Sequence, residues 1–323
     1  MGQIFEENWP EVKSDEELKT LILENPEYDP GYINLSTSTL LKKKKELVKN
    51  LLVRFEPYAD IGFEESLKRK GEFIGRCWEM IVGVTFLEQG ETLIPRLENG
   101  KRGPDIGIRR EKINWIEAVS CTSGTGDDAV PAIRYGEIMD VPVRAMILRV
   151  GNAVGSKVTK YDGYVKDGII KSDEPFIIAI SKGDIPHVDA HPPVILRYLY
   201  GIGNQALEIP IDKNTGKPSE VVESMFVLQE HIKKSSGNTV EVGFFGDLAN
   251  AKISGVIYCK NFIFNHPQPL GSDFVLLKNP NATNPLPKDF LSRGAEYVLM
   301  GDKLIYEDRG FIAQGDPFDY LEQ

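Results

Sequence analysis

The chain has 323 residues, 41% hydrophobic and 27% charged, enough to bury a sizeable core in one large domain with appended segments. A formal net charge of -10 argues against a protein that coats nucleic acid non-specifically. No run reaches the ~18 apolar residues of a membrane span, and the N-terminus is acidic rather than basic and then apolar, so a cytoplasmic protein without a membrane partner is expected.

Met1-Gly2 opens the chain, but Glu6 stands where a myristoylation signal carries Ser or Thr. Three cysteines, Cys77, Cys121 and Cys259, lie far apart without CxxC spacing and read as buried, reduced thiols. Of the four histidines, His187 and His191 stand four apart, but Pro186, Pro192 and Pro193 make that segment a loop and speak against a zinc site there; His231 and His266 are isolated. Charge is uneven. Residues 1–30 hold nine acids and two bases, whereas 31–54 hold six bases, Lys42, Lys43, Lys44, Lys45, Lys49 and Arg54, against one acid. Residues 149–171 are basic through Arg149, Lys157, Lys160, Lys166 and Lys171. Such stretches suit contact with a polyanion, and equally a solvated helix face.

In chain order, Leu40, Leu41, Leu47, Val48, Leu51 and Leu52 recur at helical spacing and predict a helix over 40–53. A second helix is predicted over 72–88, with Phe73, Ile74, Cys77, Trp78, Ile81, Val82, Thr85 and Phe86 as its apolar stripe. The period then changes to two. Residues 93–97, 105–109 and 113–121 read as successive strands, with turns at Asn99-Gly100 and Arg110-Glu111-Lys112. The loop "CTSGTGDDAVP" follows, then "VPVRAMILRV", which fits helix or strand. A helix capped by Asn152 and ended by Gly168 comes next, with Val154, Val158, Tyr161 and Val165 inside. Residues 176–180 form a continuous apolar β-run, as in a strand covered on both faces. The order implies an α/β fold, a mixed central β-sheet flanked by helices. Past residue 186 the chain is loop-rich, with helix signals at 194–200 and 219–234, strand-like runs in "KISGVIYCKNFIF" and "DFVLL", and a short helix after "NPNATNPLPKDFL"; the best domain boundary lies at 183–193.

The chemistry concentrates at Asp105 and Glu117. Alternation puts Glu117 on one face of its strand with Ile113, Trp115, Val119 and Cys121, so a carboxylate sits in an apolar row. Buried there it needs a cation, a metal or hydrogen-bond donors. The short turn makes the two strands antiparallel neighbours and brings Asp105 beside Glu117 or one diagonal away. Two converging carboxylates make an oxygen-only site of the kind Mg²⁺ or Mn²⁺ prefers. Alternatively, Asp105 caps a strand and Glu117 pairs with an arginine such as Arg109.

"GPDIGI" followed by "WIEAV" resembles the signature of the PD-(D/E)xK, or restriction-endonuclease-like, nuclease superfamily: Pro-Asp at a strand start, a spacer, then an acid, any residue and Lys on the next strand. The element order over 71–181 is similar to that family's core. The resemblance implies a restriction-endonuclease-like core at 71–185, an N-terminal helical segment at 1–70 and a C-terminal α+β extension at 186–323. It also implies a Mg²⁺- or Mn²⁺-dependent endonuclease acting on nucleic acid, with DNA the expected polymer and homo-oligomerisation left open. Asp105, Glu117 and the Ala118 carbonyl would hold the metal. Glu79, in "GRCWEMIVG", matches the family's helix glutamate, though its wheel position beside Glu72, Arg76 and Gly83 also fits a solvated face. The pattern's lysine is absent: Val119 stands there. Some members supply it from the following helix, where Lys157 and Lys160 share a face. Lys42 to Lys45, Arg109 and Arg149 are the weaker nucleic-acid contacts, and Asp127 or Asp128 in "SGTGDD" could modulate the site. The alternatives are a degenerate core that binds nucleic acid or protein without cutting, and a structural α/β protein with no polyanion partner.

Overall fold

The computed structural model describes residues 4–5, 9–96, 103–134, 136–189, 192–218, 223–262, 264–300 and 303–313. The expected turn at Asn99-Gly100, and His191, lie outside these. The chain forms two compact units, each discontinuous in sequence: residues 1–122, 153–184 and 251–323 make the first, and 123–152 with 185–250 the second. One boundary between them falls at 184/185. Tyr32, Phe55 and Phe63 from the N-terminal segment share one core with Trp78, Ile116, Ile177 and Ile257.

The first unit opens with helices α1 (Asp15–Glu24), α2 (Pro30–Thr37), α3 (Lys42–Phe55), α4 (Phe63–Lys68) and α5 (Phe73–Glu88). Residues 39–41 form a 3₁₀ turn before α3 rather than its first turn. Asp29 caps α2 through the Gly31 N–H at 2.8 Å, with Pro30 at the first helical position. Gly83 lets α3 and α5 touch: a Cβ there would meet the Phe55 ring at 2.3 Å. Gly83→Ala is therefore expected to cost about 1–3 kcal/mol through overpacking, read as a lowered denaturation midpoint at unchanged slope.

Seven strands, β1 (Ile106–Arg109), β2 (Ile113–Ser120), β3 (Phe176–Ser181), β8 (Gly255–Cys259), β9 (Val275–Lys278), β10 (Gly294–Met300) and β11 (Lys303–Arg309), form a mixed sheet in the order β1-β2-β3-β8-β9-β10-β11. The β1/β2, β8/β9 and β10/β11 pairs are antiparallel and the rest parallel. β3 and β8 are buried along their whole length, which explains their unbroken apolar runs. Of the strand expected at 93–97, the described residues 93–96 form one bridge, Leu93 opposite Ile108, fixed by the Ile94 N–H on the Gly107 carbonyl. The hairpin β10–β11 closes the edge of the sheet opposite β1. Its Glu296 is buried between Lys278, 2.7 Å away, and Arg309, 3.0 Å away. Residues after "NPNATNPLPKDFL" form a bend and then β10 rather than the expected short helix.

Helix α6 (Val143–Lys166) runs through both units. "VPVRAMILRV" is thus helical, and Asn152 is an interior residue rather than a cap. The second unit also holds α7 (Val194–Tyr200) and two antiparallel hairpins, β4 (Ile202–Glu208) with β5 (Glu223–Leu228), and β6 (His231–Lys233) with β7 (Thr239–Glu241). The helix expected over 219–234 is therefore strand where described. Its Val, Met, Phe and Ile residues suit an extended chain, and Gly201 and Gly243, both at positive φ, face each other where the two hairpins meet. No helix among the described residues is long and apolar enough to cross a membrane.

Candidate active site

β1 begins one residue after Asp105, and that sets the geometry of the site. Ile106 pairs with Ile116, so the next position outward puts Asp105 opposite Glu117. Gly107 pairs with Trp115, and a Cβ on Gly107 would sit 2.7 Å from that indole. Only glycine lets the Trp115 ring lie across β1 on the face that also carries Glu117. The odd-numbered residues of β2 turn their amides towards β3, as the Trp115 and Cys121 N–H bonds to Pro175 and Ser181 show. Ala118 therefore turns its N–H and carbonyl towards β1. Because β1 begins only at Ile106, the Ala118 N–H meets the Asp105 Oδ2 at 2.7 Å instead of a strand carbonyl. The Ala118 carbonyl, on the same side, faces the vacated edge.

Glu117 is wholly buried. Lys157 Nζ lies 2.8 Å and Lys160 Nζ 2.5 Å from its Oε1, and the Tyr164 hydroxyl donates to Oε2 at 3.2 Å. The three donors occupy positions 157, 160 and 164, three and four apart on α6, which is the spacing that aligns side chains on one helix face. Lys157 is nearly buried; Lys160 is half exposed. Burial works against charge on Lys160, but attraction to Glu117 outweighs it and raises its pKa. Tyr164 is pushed up by burial and by the Glu117 and Asp105 charges, so it stays a donor.

Glu79 does not lie on a solvated face. It is 5% exposed, and Arg76 Nη1 donates to its Oε2 at 3.0 Å. Burial, and then repulsion from Asp105, raise its pKa well above the usual carboxylate range. The same two causes, with Glu117 as the repelling charge, raise Asp105 to about 6; Lys157 and the Ala118 N–H pull the other way. Three acids thus converge where like charges oppose one another, the condition that a cation relieves.

Glu79, Asp105, Ala118, Lys157, Lys160 and Tyr164 line one open cavity of about 600 Å³, completed by Asp60, Glu72, Arg76 and Arg96. Glu117 lies behind its lysines rather than on the wall. Arg96 is fixed by Asp60 and by the Pro104 carbonyl at 2.7 Å. Neither Asp60 nor Arg96 carries a motif: Asp60 lies in an irregular segment and Arg96, expected within a strand, is helical. With Glu117 the cavity counts five acids against four bases. One divalent ion would reverse that balance.

The remaining expected residues do not meet here. Arg109 is at the far end of β1, paired in register with Ile113, so it is not the partner of Glu117. Lys44 and Lys45 cover the Phe264 and Phe5 rings at 5.3 and 5.6 Å, and Lys45 also donates to the Ser36 carbonyl at 2.6 Å. With Lys42 and Lys43 they belong to the first turn of α3, outside the cavity. Arg149 belongs to the second unit, its guanidinium against Gly124. There Asp128 is engaged by Arg144 at 2.6 Å and by the Ser235 N–H at 3.0 Å, and the Asp127 carbonyl accepts from the Ser235 hydroxyl. His187 bonds the Pro131 carbonyl at 2.7 Å. Comparisons with protein-family models, with curated proteins and with solved structures find no match.

Proposed function

We propose that the chain is a metal-dependent nuclease that hydrolyses phosphodiester bonds in nucleic acid, DNA above all, on a restriction-endonuclease-like core of the PD-(D/E)xK superfamily. One observation carries the reading: Lys157 and Lys160 reach from the following helix to Glu117, beside Asp105, and so supply the cation that Val119 lacks. The order α5, the Leu93 bridge, β1, β2, α6 and β3, with β2 parallel to β3, supports it.

The donor set fits a hard, oxygen-liganded ion. Asp105, Glu117 and the Ala118 carbonyl would hold Mg²⁺ or Mn²⁺, with Glu79 completing the acidic set; when bound, the ion polarises a water and neutralises charge on the phosphodiester. Lys157 is the group to orient the attacking water. Lys160, reaching the open side of the cavity, is the group to meet a phosphate oxygen. Tyr164 fixes Glu117 through Oε2. Arg76 and Arg96 offer planar donors to the polymer backbone while Glu79 and Asp60 hold them in place.

The test is incubation with plasmid, single-stranded DNA and RNA in Mg²⁺ or Mn²⁺, alongside Asp105→Ala and Glu117→Ala. Wild type is expected to cleave and both variants to fail; equal cleavage by all three would sink the reading. The lysines already on Glu117 favour a second one, a neutralised core that binds nucleic acid or protein without cutting. It gains if calorimetry detects neither ion and nucleic acid still binds in a salt-sensitive way.

A further inference from the structure

Away from the cavity, three side chains of different chemistry converge in the interior of the first unit. Cys259 ends β8, His266 lies in the loop that follows, and Asp273 stands just before β9. They are seven residues apart in each step, a spacing with no motif value, so only the fold brings them together. All three are at most 1% exposed. One ligand atom from each lies within 4.8 Å of the other two.

The contacts within the cluster are uneven. Asp273 Oδ2 takes the His266 Nδ1 at 2.7 Å, the Asn261 Nδ2 at 2.8 Å and the Cys259 thiol at 3.2 Å. Its other oxygen, Oδ1, is buried with no hydrogen-bond partner among the described residues. A buried carboxylate oxygen left bare is a desolvation cost that a bound cation relieves. The Asn261 N–H points at the Cys259 sulfur, 3.4 Å away, a bond that favours thiolate over thiol. Without a cation, burial and the Asp273 charge push that thiol well above its ordinary value. The cluster is not a nucleophile with its base: thiol and carboxylate crowd the same ring nitrogen, and no face is open to a substrate.

We propose that Cys259, His266 and Asp273 bind a structural Zn²⁺ ion, in a site separate from the Asp105 and Glu117 cavity. One sulfur, one imidazole nitrogen and one carboxylate oxygen form a borderline-soft set that suits Zn²⁺ and not Mg²⁺. On binding, the thiol proton leaves to solvent as the S–Zn bond forms, and the imidazole presents Nδ1 bare with its proton on Nε2. The Asn261 amide, bonded to Asp273 and to the Ala313 carbonyl at 2.9 Å, is the neighbouring polar group for a fourth position. The His266 ring stacks on Trp78 at 6.1 Å. An ion there would pin both ends of the loop between β8 and β9, whose His266 already rests on Trp78 of α5.

The experiment uses the full chain carrying Cys77→Ala and Cys121→Ala, so that Cys259 is its one thiol. Grown in zinc-replete medium and dialysed without chelator, it is expected to retain a single zinc per chain by elemental analysis. Grown with cobalt instead, it should show the near-ultraviolet thiolate-to-cobalt charge-transfer band. Cys259→Ala added to this background should lose both, and Asp105→Ala neither. Absence of zinc together with absence of the band overturns the proposal, as does zinc retained after Cys259→Ala. If Cys259→Ala does not fold, the band in the parent decides alone.

Discussion

Glu117→Gln is expected to reduce Mg²⁺-dependent cleavage by about a thousandfold, the equivalent of roughly 4 kcal/mol of transition-state stabilisation. The amide keeps the shape and an acceptor oxygen for Lys157 and Lys160 but removes the charge that an ion needs. Glu117→Ala does more, because it leaves the nearly buried Lys157 ammonium without its partner. Breaking a buried pair from one side costs about 3–5 kcal/mol, and the low end applies because Lys157 also lines the open cavity. Comparing the two variants by denaturation midpoint and by turnover separates the roles. Gln should lose less stability than Ala, since its oxygen still accepts from the lysines although their charge is no longer balanced, and should not cut, whereas Ala should unfold earliest. A Gln variant that cuts at the wild-type rate would remove Glu117 from the chemistry.

Asp105→Asn has the second large effect, with opposite signs on activity and stability. Burial and Glu117 raise the Asp105 carboxyl to about 6, above its unfolded value near 4. The folded protein therefore takes up a proton that the unfolded chain releases. The favourable contribution is present at acid pH and disappears as pH rises through 6; above that, the ionised carboxylate is a cost. Asn removes the cost and still accepts from the Ala118 N–H. The metal-free variant should be more stable than wild type by about 1–2 kcal/mol at pH 8, a figure reduced because Asp105 borders the open cavity. The advantage should vanish below about pH 4. Cleavage should be lost at every pH, and wild-type affinity for Mn²⁺ should fall as pH drops through 6, because a proton then competes for Asp105. Titration calorimetry across that range, with denaturation of both proteins, measures each part. A variant less stable than wild type at pH 8 would show that Asp105 is held by more than the Ala118 N–H.

The elements that position the site were the most legible. α5, β1, β2 and β3 declare themselves because period and burial agree in them, as they do, apart from the site, in α7 of the second unit. The Asp105 and Glu117 pair follows from alternation and a three-residue turn alone. Lys157 and Lys160 follow from helical spacing, although the first half of α6 could not be told from a strand. What stayed hidden depended on contacts distant in sequence. Glu79 looks solvated on a helical wheel, yet it is buried beside Arg76 and Asp105. The lysines of α3 look like a polyanion surface until Phe5 and Phe264 are found beneath them. Residues 223–233 are extended because they pair with β4 and β7, which no local pattern announces. Cys259, His266 and Asp273 meet only because β8 and β9 are adjacent and antiparallel.

Glu296 gives the site an internal yardstick. It too is a buried carboxylate between two cations, Lys278 and Arg309, and it borders no cavity wall described above. A glutamate in that setting is a self-sufficient structural unit, so the cluster of Glu117 with Lys157 and Lys160 could outlive any activity by generations of drift. Asp105 and Glu79 could not, because their burial is costly while they serve no ion. On the nuclease reading, a lineage that no longer needs the ion would lose those two acids first and keep the lysines, which makes positions 79 and 105 the ones that separate an active site from a structural relic.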